Sequence, residues 1–204
     1  MAYQLLLGLC SIHHNKIMHR DLALKNILVD EDSNAYIADL GLARAHQTAE
    51  SRVLTLDVVT LEYRSFELLL CYKKYSYAVD MWSCGCIIAE MFVRHRLLEP
   101  RLRDTPSQLV RTVQSLGKPD DELITKHASE SAATFYHGII RRFEALAADK
   151  NVPKCFDCPI PVQLAAHGAS AAAVDLIMGL LQVDFRKRLT AEERKTAYGR
   201  LSVL

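Results

Sequence analysis

The spacing of apolar residues predicts helices along most of this chain. Residues 2–14 carry leucine and isoleucine at helical intervals and are predicted to form an amphipathic helix. Residues 77–92 are apolar on nearly every side, which is typical of a buried central helix. Helices are also predicted over 104–117, where a polar residue and a proline open the segment and a glycine ends it, and over 169–182 and 190–201. The pattern therefore predicts a mainly α fold.

The segment between the first two helices has a different pattern. Residues 26–30 and 34–39 are short strand-like runs separated by the polar turn 31–33, which predicts a small β-hairpin. Residues 45–75 show no clear period and are predicted to form a long loop, and loops of that length are usually functional or disordered. We find no internal repeat and no domain linker, so a single domain is expected.

Composition and charge exclude several classes of protein. The chain has 204 residues, with 25 Lys and Arg against 24 Asp and Glu, and this net charge of +1 favours neither a nucleic-acid nor a membrane partner. Six cysteines at uneven spacing favour a reducing intracellular compartment, which we expect to be the cytoplasm, the nucleus or both. The apolar start, residues 1–10, lacks a basic region and is too short to span a bilayer, so a buried helix is predicted there.

The candidate chemistry lies in five short segments that follow one another in order. The first is HRDLALKN at 19–26, whose aspartate and asparagine can aim a carboxylate at a substrate and an amide oxygen at a metal. It is followed by DLG at 39–41, EYRSFE at 62–67, DMWSCG at 80–85 and DFRKRLTA at 184–191. Taken alone, the aspartate of DLG is more typical of a turn after a strand. The ordered set of five argues against coincidence.

This ordered set resembles the C-terminal lobe of eukaryotic protein kinases, over essentially the whole chain. The resemblance implies a mainly α, kinase-like C-terminal lobe spanning 1–204, in which a small β-hairpin carries the catalytic and metal-binding loops. The catalytic loop would be 19–26 and the activation segment 39–67. No glycine-rich loop, strand lysine or hinge precedes Met1, so the N-terminal lobe is expected to be absent. Activity is therefore expected to need an N-terminal lobe that this sequence does not contain.

The resemblance also implies roles for single residues in the transfer of the γ-phosphate of ATP, with Mg²⁺ as the second cofactor. Asp21 would orient the substrate hydroxyl and accept its proton, and Lys25 and Thr60 would complete the catalytic set. Asn26 and Asp39 would be the metal ligands, since magnesium prefers oxygen donors. The residues implied to bind the cofactors are Lys25, Asn26, Leu28 and Asp39.

Two further segments resemble cyclin-dependent kinases, VLTLDVVTLEYRSFELLL at 53–70 and SLGKPDDE at 115–122. This resemblance implies a protein serine/threonine kinase that prefers proline after the target residue and has a cyclin-like regulatory subunit as a possible partner. Thr55 would be an activating phosphosite, although an unmodified loop threonine is the alternative. The residues implied around it are Arg20 and Arg44, which would hold the phosphate, and Val58, Val59 and Arg64, which would shape the substrate pocket.

Three residues are implied to have structural roles. Glu67 is expected to pair with Arg188, which would join the end of the activation segment to the rest of the lobe. Asp80 is expected to accept hydrogen bonds from the backbone near His19 and Arg20 and so to hold the catalytic loop from beneath. Breaking such a buried charged pair typically costs about 3–5 kcal/mol.

The catalytic loop departs from the serine/threonine kinase pattern at Ala23, where that pattern has lysine. Tyrosine kinases also have alanine there and carry the positive charge two residues later, where this chain has Lys25. Thr60 stands where tyrosine kinases usually have proline, so the serine/threonine prediction is kept, with the charge relocated to Lys25. A solvated surface lysine is the alternative. Glu62 also departs from the family, which has tryptophan at this position.

Two alternative interpretations follow from the same residues. The missing lobe and Ala23 also fit an inactive remnant of a kinase lobe that binds a partner or substrate without turnover. Cys155 and Cys158 have the spacing of zinc ligands, but the other close pair, Cys84 and Cys86, is predicted to lie in a buried helix. Core or loop thiols are therefore favoured over a four-ligand zinc site.

Overall fold

Helices make up most of the part of the chain that the structure describes. The computed structural model describes residues 1–45, 60–72, 75–148 and 159–193. Within these ranges the helices are α1 (Ala2–His14), α2 (Phe66–Leu69), α3 (Ala78–Val93), α4 (Thr105–Leu116), α5 (Asp121–His127), α6 (Glu130–Ala148), α7 (Ile160–Ala166) and α8 (Ala171–Leu180). The strands are β1 (Ile17–Met18), β2 (Ile27–Val29), β3 (Ala35–Ile37) and β4 (Arg44–Ala45). The predicted mainly α fold with a small hairpin is confirmed.

Helix α3 is the centre of the fold, as its apolar sequence predicted. Nearly all of its side chains are buried, and Trp82 is completely enclosed. Helix α8 packs directly against it at Gly85, where an added Cβ would lie 2.8 Å from the Cβ of Leu180. The small residue therefore lets the two helix backbones approach closely.

The helix predicted over 2–14 is confirmed as α1, which packs against α3 and β3. Its Leu5 and Leu9 are completely buried, in agreement with the amphipathic pattern. Two residues separate α1 from β1, and the loop 19–26 follows β1. The burial of α1 therefore fixes where the loop begins.

Helices α4 and α8 begin at the capping residues that the sequence provides. Asp104 accepts a hydrogen bond from the Ser107 backbone N–H at 2.7 Å, and Ser170 caps α8 in the same way. Thr190 and Glu193 form the expected reciprocal capping contacts at the start of the last predicted helix. The rest of that helix lies outside the described residues.

The predicted hairpin is formed by β2 and β3, which pair antiparallel with Ile27 opposite Ile37. A second antiparallel pair, β1 with β4, places Met18 opposite Arg44 and was not predicted, because two-residue strands are too short to show alternation. The prediction of one loop over 45–75 is wrong in part, since a 3₁₀ turn spans Leu61–Tyr63 and α2 follows it. Within the described ranges, no helix combines the length and apolar character needed to cross a membrane.

Candidate active site

The loop 19–26 is held from beneath by one buried carboxylate of α3. Asp80 accepts hydrogen bonds from the backbone N–H groups of His19, at 2.9 Å, and Arg20, at 2.8 Å. The His13 ring nitrogen Nε2 lies 2.9 Å from the same carboxylate. The contact expected between Asp80 and the loop is thus present, and it fixes the backbone immediately before Asp21.

Asp21 presents a buried carboxylate with one oxygen engaged and one available. Its Oδ2 lies 3.2 Å from the Lys25 ammonium and 3.3 Å from the Asn26 amide nitrogen. Its Oδ1 is buried and has no hydrogen-bond partner among the described residues. A buried carboxylate oxygen without a partner is costly, and Oδ1 therefore keeps acceptor capacity that a substrate hydroxyl would use.

A short chain of backbone contacts brings the segment 39–41 to the catalytic loop. The Ala38 N–H donates to the Asn26 carbonyl oxygen at 2.9 Å, and the Ala38 carbonyl lies 3.0 Å from the His19 ring nitrogen Nε2. The next residue, Asp39, has a left-handed backbone with φ of 63°, and its Oδ1 accepts a bond from the Gly41 N–H at 3.1 Å. Asp39 is therefore tethered beside Asn26.

The side chains of Asn26 and Asp39 fit the requirements of a magnesium ion. The amide nitrogen of Asn26 donates to the Asp21 carbonyl at 2.7 Å, which leaves its amide oxygen available as a ligand. Asp39 is exposed and offers a carboxylate. Magnesium is usually held by one or two carboxylates together with substrate phosphates and water. Among the described residues no group of three His, Cys, Asp or Glu side chains could hold a metal, so such an ion would depend on those additional oxygens.

The guanidinium of Arg20 is hydrogen-bonded to neighbouring groups in this structure. Its guanidinium donates to the Leu42 carbonyl at 2.8 and 2.5 Å and to the Tyr75 hydroxyl at 3.3 Å. The predicted phosphosite Thr55 lies outside the described residues, and Arg44 is described as part of β4. The phosphate-binding role of Arg20 and Arg44 therefore stays a prediction.

The other residues predicted for the site occupy different surroundings. Thr60 is half-buried and lines a cavity next to Ala23 and Lys25. Leu28 is 58% exposed on β2, and Arg64 is buried. Val58 and Val59 lie outside the described residues. The structure thus brings Thr60 to the catalytic loop, and the predicted substrate pocket stays a prediction.

Glu67 and Arg188 meet in a buried two-point contact. The two guanidinium nitrogens of Arg188 lie 2.7 and 3.0 Å from the two carboxylate oxygens of Glu67, and both side chains are almost completely enclosed. The guanidinium also donates to the Gln182 carbonyl and stacks over the Trp82 ring at 5.0 Å. The expected contact is present, and it joins three segments that lie far apart in the sequence.

A group of charged residues beside the catalytic loop was not predicted from the sequence. Glu62, noted above only as a departure from the family, is buried and forms an ion pair with Arg96, and it lies 3.7 Å from Arg103. Glu90 accepts a hydrogen bond from the Tyr63 hydroxyl at 2.6 Å. Glu62 could have been found as a carboxylate at a position where the similar kinases have tryptophan, but the basic residues that meet it, Arg96 and Arg103, carry no pattern of their own.

The cysteines that the structure describes do not form a zinc site. Cys84 and Cys86 are buried in α3, and burial raises the pKa of the Cys84 thiol to about 12. Because thiolate is the form that binds zinc, such a thiol is a poor ligand. The other candidates, Cys155 and Cys158, lie outside the described residues.

Comparison with known proteins identifies the family. Residues 1–197 match the family described as the protein kinase domain. The chain is 36% identical over 193 residues to extracellular signal-regulated kinase 1 of Dictyostelium discoideum, covering 94% of this chain and 33% of that protein. It is 36% identical over 197 residues to mitogen-activated protein kinase p38a of Drosophila melanogaster, covering 95% of this chain and 47% of that protein.

A third relative is a probable CTD kinase subunit alpha homolog of Encephalitozoon cuniculi, which is 34% identical over 191 residues, covering 94% of this chain and 52% of that protein. This chain belongs to the protein kinase family. It spans between a third and about half of the length of these three relatives.

Proposed function

We propose that this chain forms the part of a protein serine/threonine kinase that carries the catalytic base and the metal ligands. The observation that supports this best is the arrangement around Asp21, whose buried Oδ1 has no partner among the described residues while Oδ2 contacts Lys25 and Asn26. Phosphoryl transfer needs a positioned carboxylate beside oxygen ligands for a cation, and these residues provide both.

In the proposed reaction each residue has a defined task. Asp21 orients the substrate hydroxyl and accepts its proton as the hydroxyl oxygen bonds to the γ-phosphorus of ATP and the bond to ADP breaks. Asn26 and Asp39 would hold Mg²⁺, which would neutralise charge on the phosphates. Asp80 keeps the loop in place through the backbone of His19 and Arg20, so it acts on the chemistry only through Asp21.

Lys25 is the residue proposed to provide the positive charge that Ala23 lacks. Its side chain is 55% exposed, and its ammonium lies 3.2 Å from the Asp21 carboxylate. An ammonium on a flexible stem can contact the carboxylate in the free protein and a transferring phosphate in the complex. The structure therefore supports the relocated charge more than a lysine that is only solvated.

The subtype of the kinase is a separate proposal. The cyclin-dependent type receives only weak support, from the probable CTD kinase subunit alpha homolog, and a cyclin-like partner stays a prediction. The other two relatives carry the names of an extracellular signal-regulated and a mitogen-activated kinase. We therefore favour a mitogen-activated type. Preference for proline after the target residue and activation at Thr55 stay predictions, as does an intracellular location in the cytoplasm, the nucleus or both.

The test uses the full-length protein, here this chain joined to an N-terminal kinase lobe. It measures transfer of labelled γ-phosphate from ATP to a Ser-Pro peptide in the presence of magnesium. Asp21→Asn should lower the rate by about a hundredfold or more, which is the usual contribution of a general base. Asp32→Asn makes the same chemical change in an exposed turn and should leave the rate unchanged. If the protein binds the peptide but transfers no phosphate, the alternative of an inactive binding module is correct.

A further inference from the structure

A cavity of about 330 Å³ lies next to the catalytic loop. Lys25 of its lining has a role in the proposed mechanism, but the cavity itself has none. Its lining includes Ala23 and Lys25 of the catalytic loop, Thr60, and residues 94–96, which follow α3. We call this space the basic cavity. Its size is at the lower end of the range of sites that bind small molecules or side chains.

Positive charge dominates the lining of the basic cavity. Lys25, Arg94 and Arg96 line it, and two of them already have a partner: Lys25 contacts Asp21, and Arg96 pairs with the buried Glu62. Arg94 is exposed and forms no ion pair with any residue in the described part of the chain. Among the described residues of this lining, Arg94 is therefore the arginine or lysine whose charge has no acidic partner.

The backbone of Arg94 is fixed even though its side chain is exposed. Arg94 has a left-handed backbone with φ of 60° and ends α3, where its N–H donates to the Glu90 carbonyl at 2.8 Å. Its guanidinium therefore projects from a defined point at the rim of the cavity. Such anchoring reduces the entropy lost when a ligand binds.

The acidic residue of the lining, Glu90, does not offset this charge towards a ligand. Both of its carboxylate oxygens are occupied, Oε2 by the Tyr63 hydroxyl at 2.6 Å and Oε1 by the Leu97 N–H at 3.1 Å. The side chain is buried, and burial raises its pKa. Glu90 therefore has less acceptor capacity left for a basic ligand, whereas the exposed guanidinium of Arg94 keeps its donors for an anionic one.

We propose that the basic cavity binds an anionic side chain of the protein substrate, a carboxylate or a phosphoryl group close in sequence to the phosphoacceptor. This proposal rests on the proposed function, because Lys25 links the cavity to Asp21. Guanidinium groups bind carboxylate and phosphate oxygens through two parallel hydrogen bonds, so Arg94 is the residue expected to select the substrate.

The experiment measures binding of fluorescent Ser-Pro peptides to the full-length protein by anisotropy. The peptides carry Asp, phosphoserine, Ala or Lys at each position flanking the phosphoacceptor in turn. At the position that reaches the cavity, the Asp and phosphoserine peptides should bind about tenfold more tightly than the Ala peptide, which corresponds to a hydrogen bond to a charged group. A larger gain for phosphoserine would identify previously phosphorylated substrates, and an equal gain would identify acidic ones.

Arg94 is a better position for the variants than Arg96, whose removal would leave the buried Glu62 without its ion-pair partner. Arg94→Gln should abolish the tenfold preference, and Arg94→Glu should transfer it to the Lys peptide. Arg101→Gln makes the same charge change in the same exposed region, outside the lining, and should keep the preference. Equal affinity for the Asp, phosphoserine and Ala peptides, or a preference that survives in Arg94→Gln, would overturn the proposal.

Phosphate transfer to the same peptides separates this proposal from the proposed function. A preference for anionic peptides without phosphate transfer supports the basic cavity and overturns the kinase activity. Transfer at equal efficiency to anionic and neutral peptides, with equal affinities, supports the kinase activity and overturns the basic cavity. The two failures therefore give different results.

Discussion

The carboxylate of Asp80 holds the backbone of Arg20 in a left-handed conformation across 60 residues of sequence. The Arg20 N–H donates to Asp80 at 2.8 Å, and φ of Arg20 is 68°. A residue other than glycine in this region costs about 1–3 kcal/mol and persists only where the surroundings impose it. Because Asp21 follows directly, the direction in which its side chain projects depends on this contact.

Asp80→Asn should lower both stability and activity. The amide keeps one acceptor oxygen but places an NH₂ group against a backbone N–H, so at least one buried hydrogen bond is lost, at a cost of about 1–3 kcal/mol. Hydrogen exchange should show weaker protection of the Arg20 amide, and thermal unfolding should shift to lower temperature. Asp121→Asn, in the exposed first turn of α5, serves as the control. Unchanged protection at Arg20 would mean that Asp80 does not hold the loop.

Arg188→Ala should destabilise the fold strongly because it leaves the buried Glu67 carboxylate unpaired. The expected cost is about 3–5 kcal/mol, measured by chemical denaturation. Lys118→Ala is the control, because its ammonium is 55% exposed and pairs with Glu144, which is 50% exposed. Exposed pairs contribute about 1 kcal/mol or less. Similar losses in the two variants would contradict a buried structural role for Arg188.

Gly85→Ala and Gly138→Ala should change stability in opposite directions. At Gly85 an added Cβ would lie 2.8 Å from the Leu180 Cβ, which is attached to the backbone and cannot move alone. Overpacking of this kind costs about 1–3 kcal/mol, more than the gain from alanine in a helix. Gly138 lies in α6 with nothing within 4 Å of the added Cβ, so the same change should stabilise by about 0.5–1 kcal/mol.

The melting temperatures of the two glycine variants provide the measurement. If Gly85→Ala were as stable as the unmodified protein, the close approach of α3 and α8 would be wrong. If Gly138→Ala were destabilised, the open surroundings of that residue on α6 would be wrong instead.

Lys25→Ala should lower the turnover of the full-length protein by about a hundredfold, which is the scale of losing one electrostatic stabiliser of a transition state. Adding Ala23→Lys to that variant should recover much of the loss, because the new ammonium would project into the same cavity. Lys126→Ala, an exposed change on α5, is the control. A turnover that is unaffected by Lys25→Ala would show that the charge is not relocated and that Lys25 is a solvated surface residue.

The local elements of this protein could be predicted from short stretches of sequence. Helix α1 and helix α3 have a hydrophobic period or an apolar surface that holds over many turns, and α4 has a cap at Asp104 and a stop at Gly117. These signals are local, because each depends on residues within one or two helical turns. Helix α6 was not predicted as an element, although its 19 residues make it the longest helix among the described residues.

The contacts around the site required more than local pattern. Asp80 with the catalytic loop, and Glu67 with Arg188, could be expected only through the resemblance to protein kinases, since 60 and 121 residues separate the partners. Periodicity determines which side of a helix is buried but not which distant segment it meets. The resemblance to protein kinases therefore predicted these two long-range contacts, which the hydrophobic pattern could not predict.

The sequence by itself determined the helical class, the residues of the catalytic loop and the absence of a lysine at position 23. Only the tertiary structure decided that the end of α3 lines the same cavity as this loop and that Arg96 is bound by Glu62. It also decided that Arg94, in the same lining, has no ion-pair partner among the described residues. The physical reason is that an isolated arginine after a helix carries no local signal of its partner. Whether its charge is neutralised depends on which acids the packing of distant segments brings within reach.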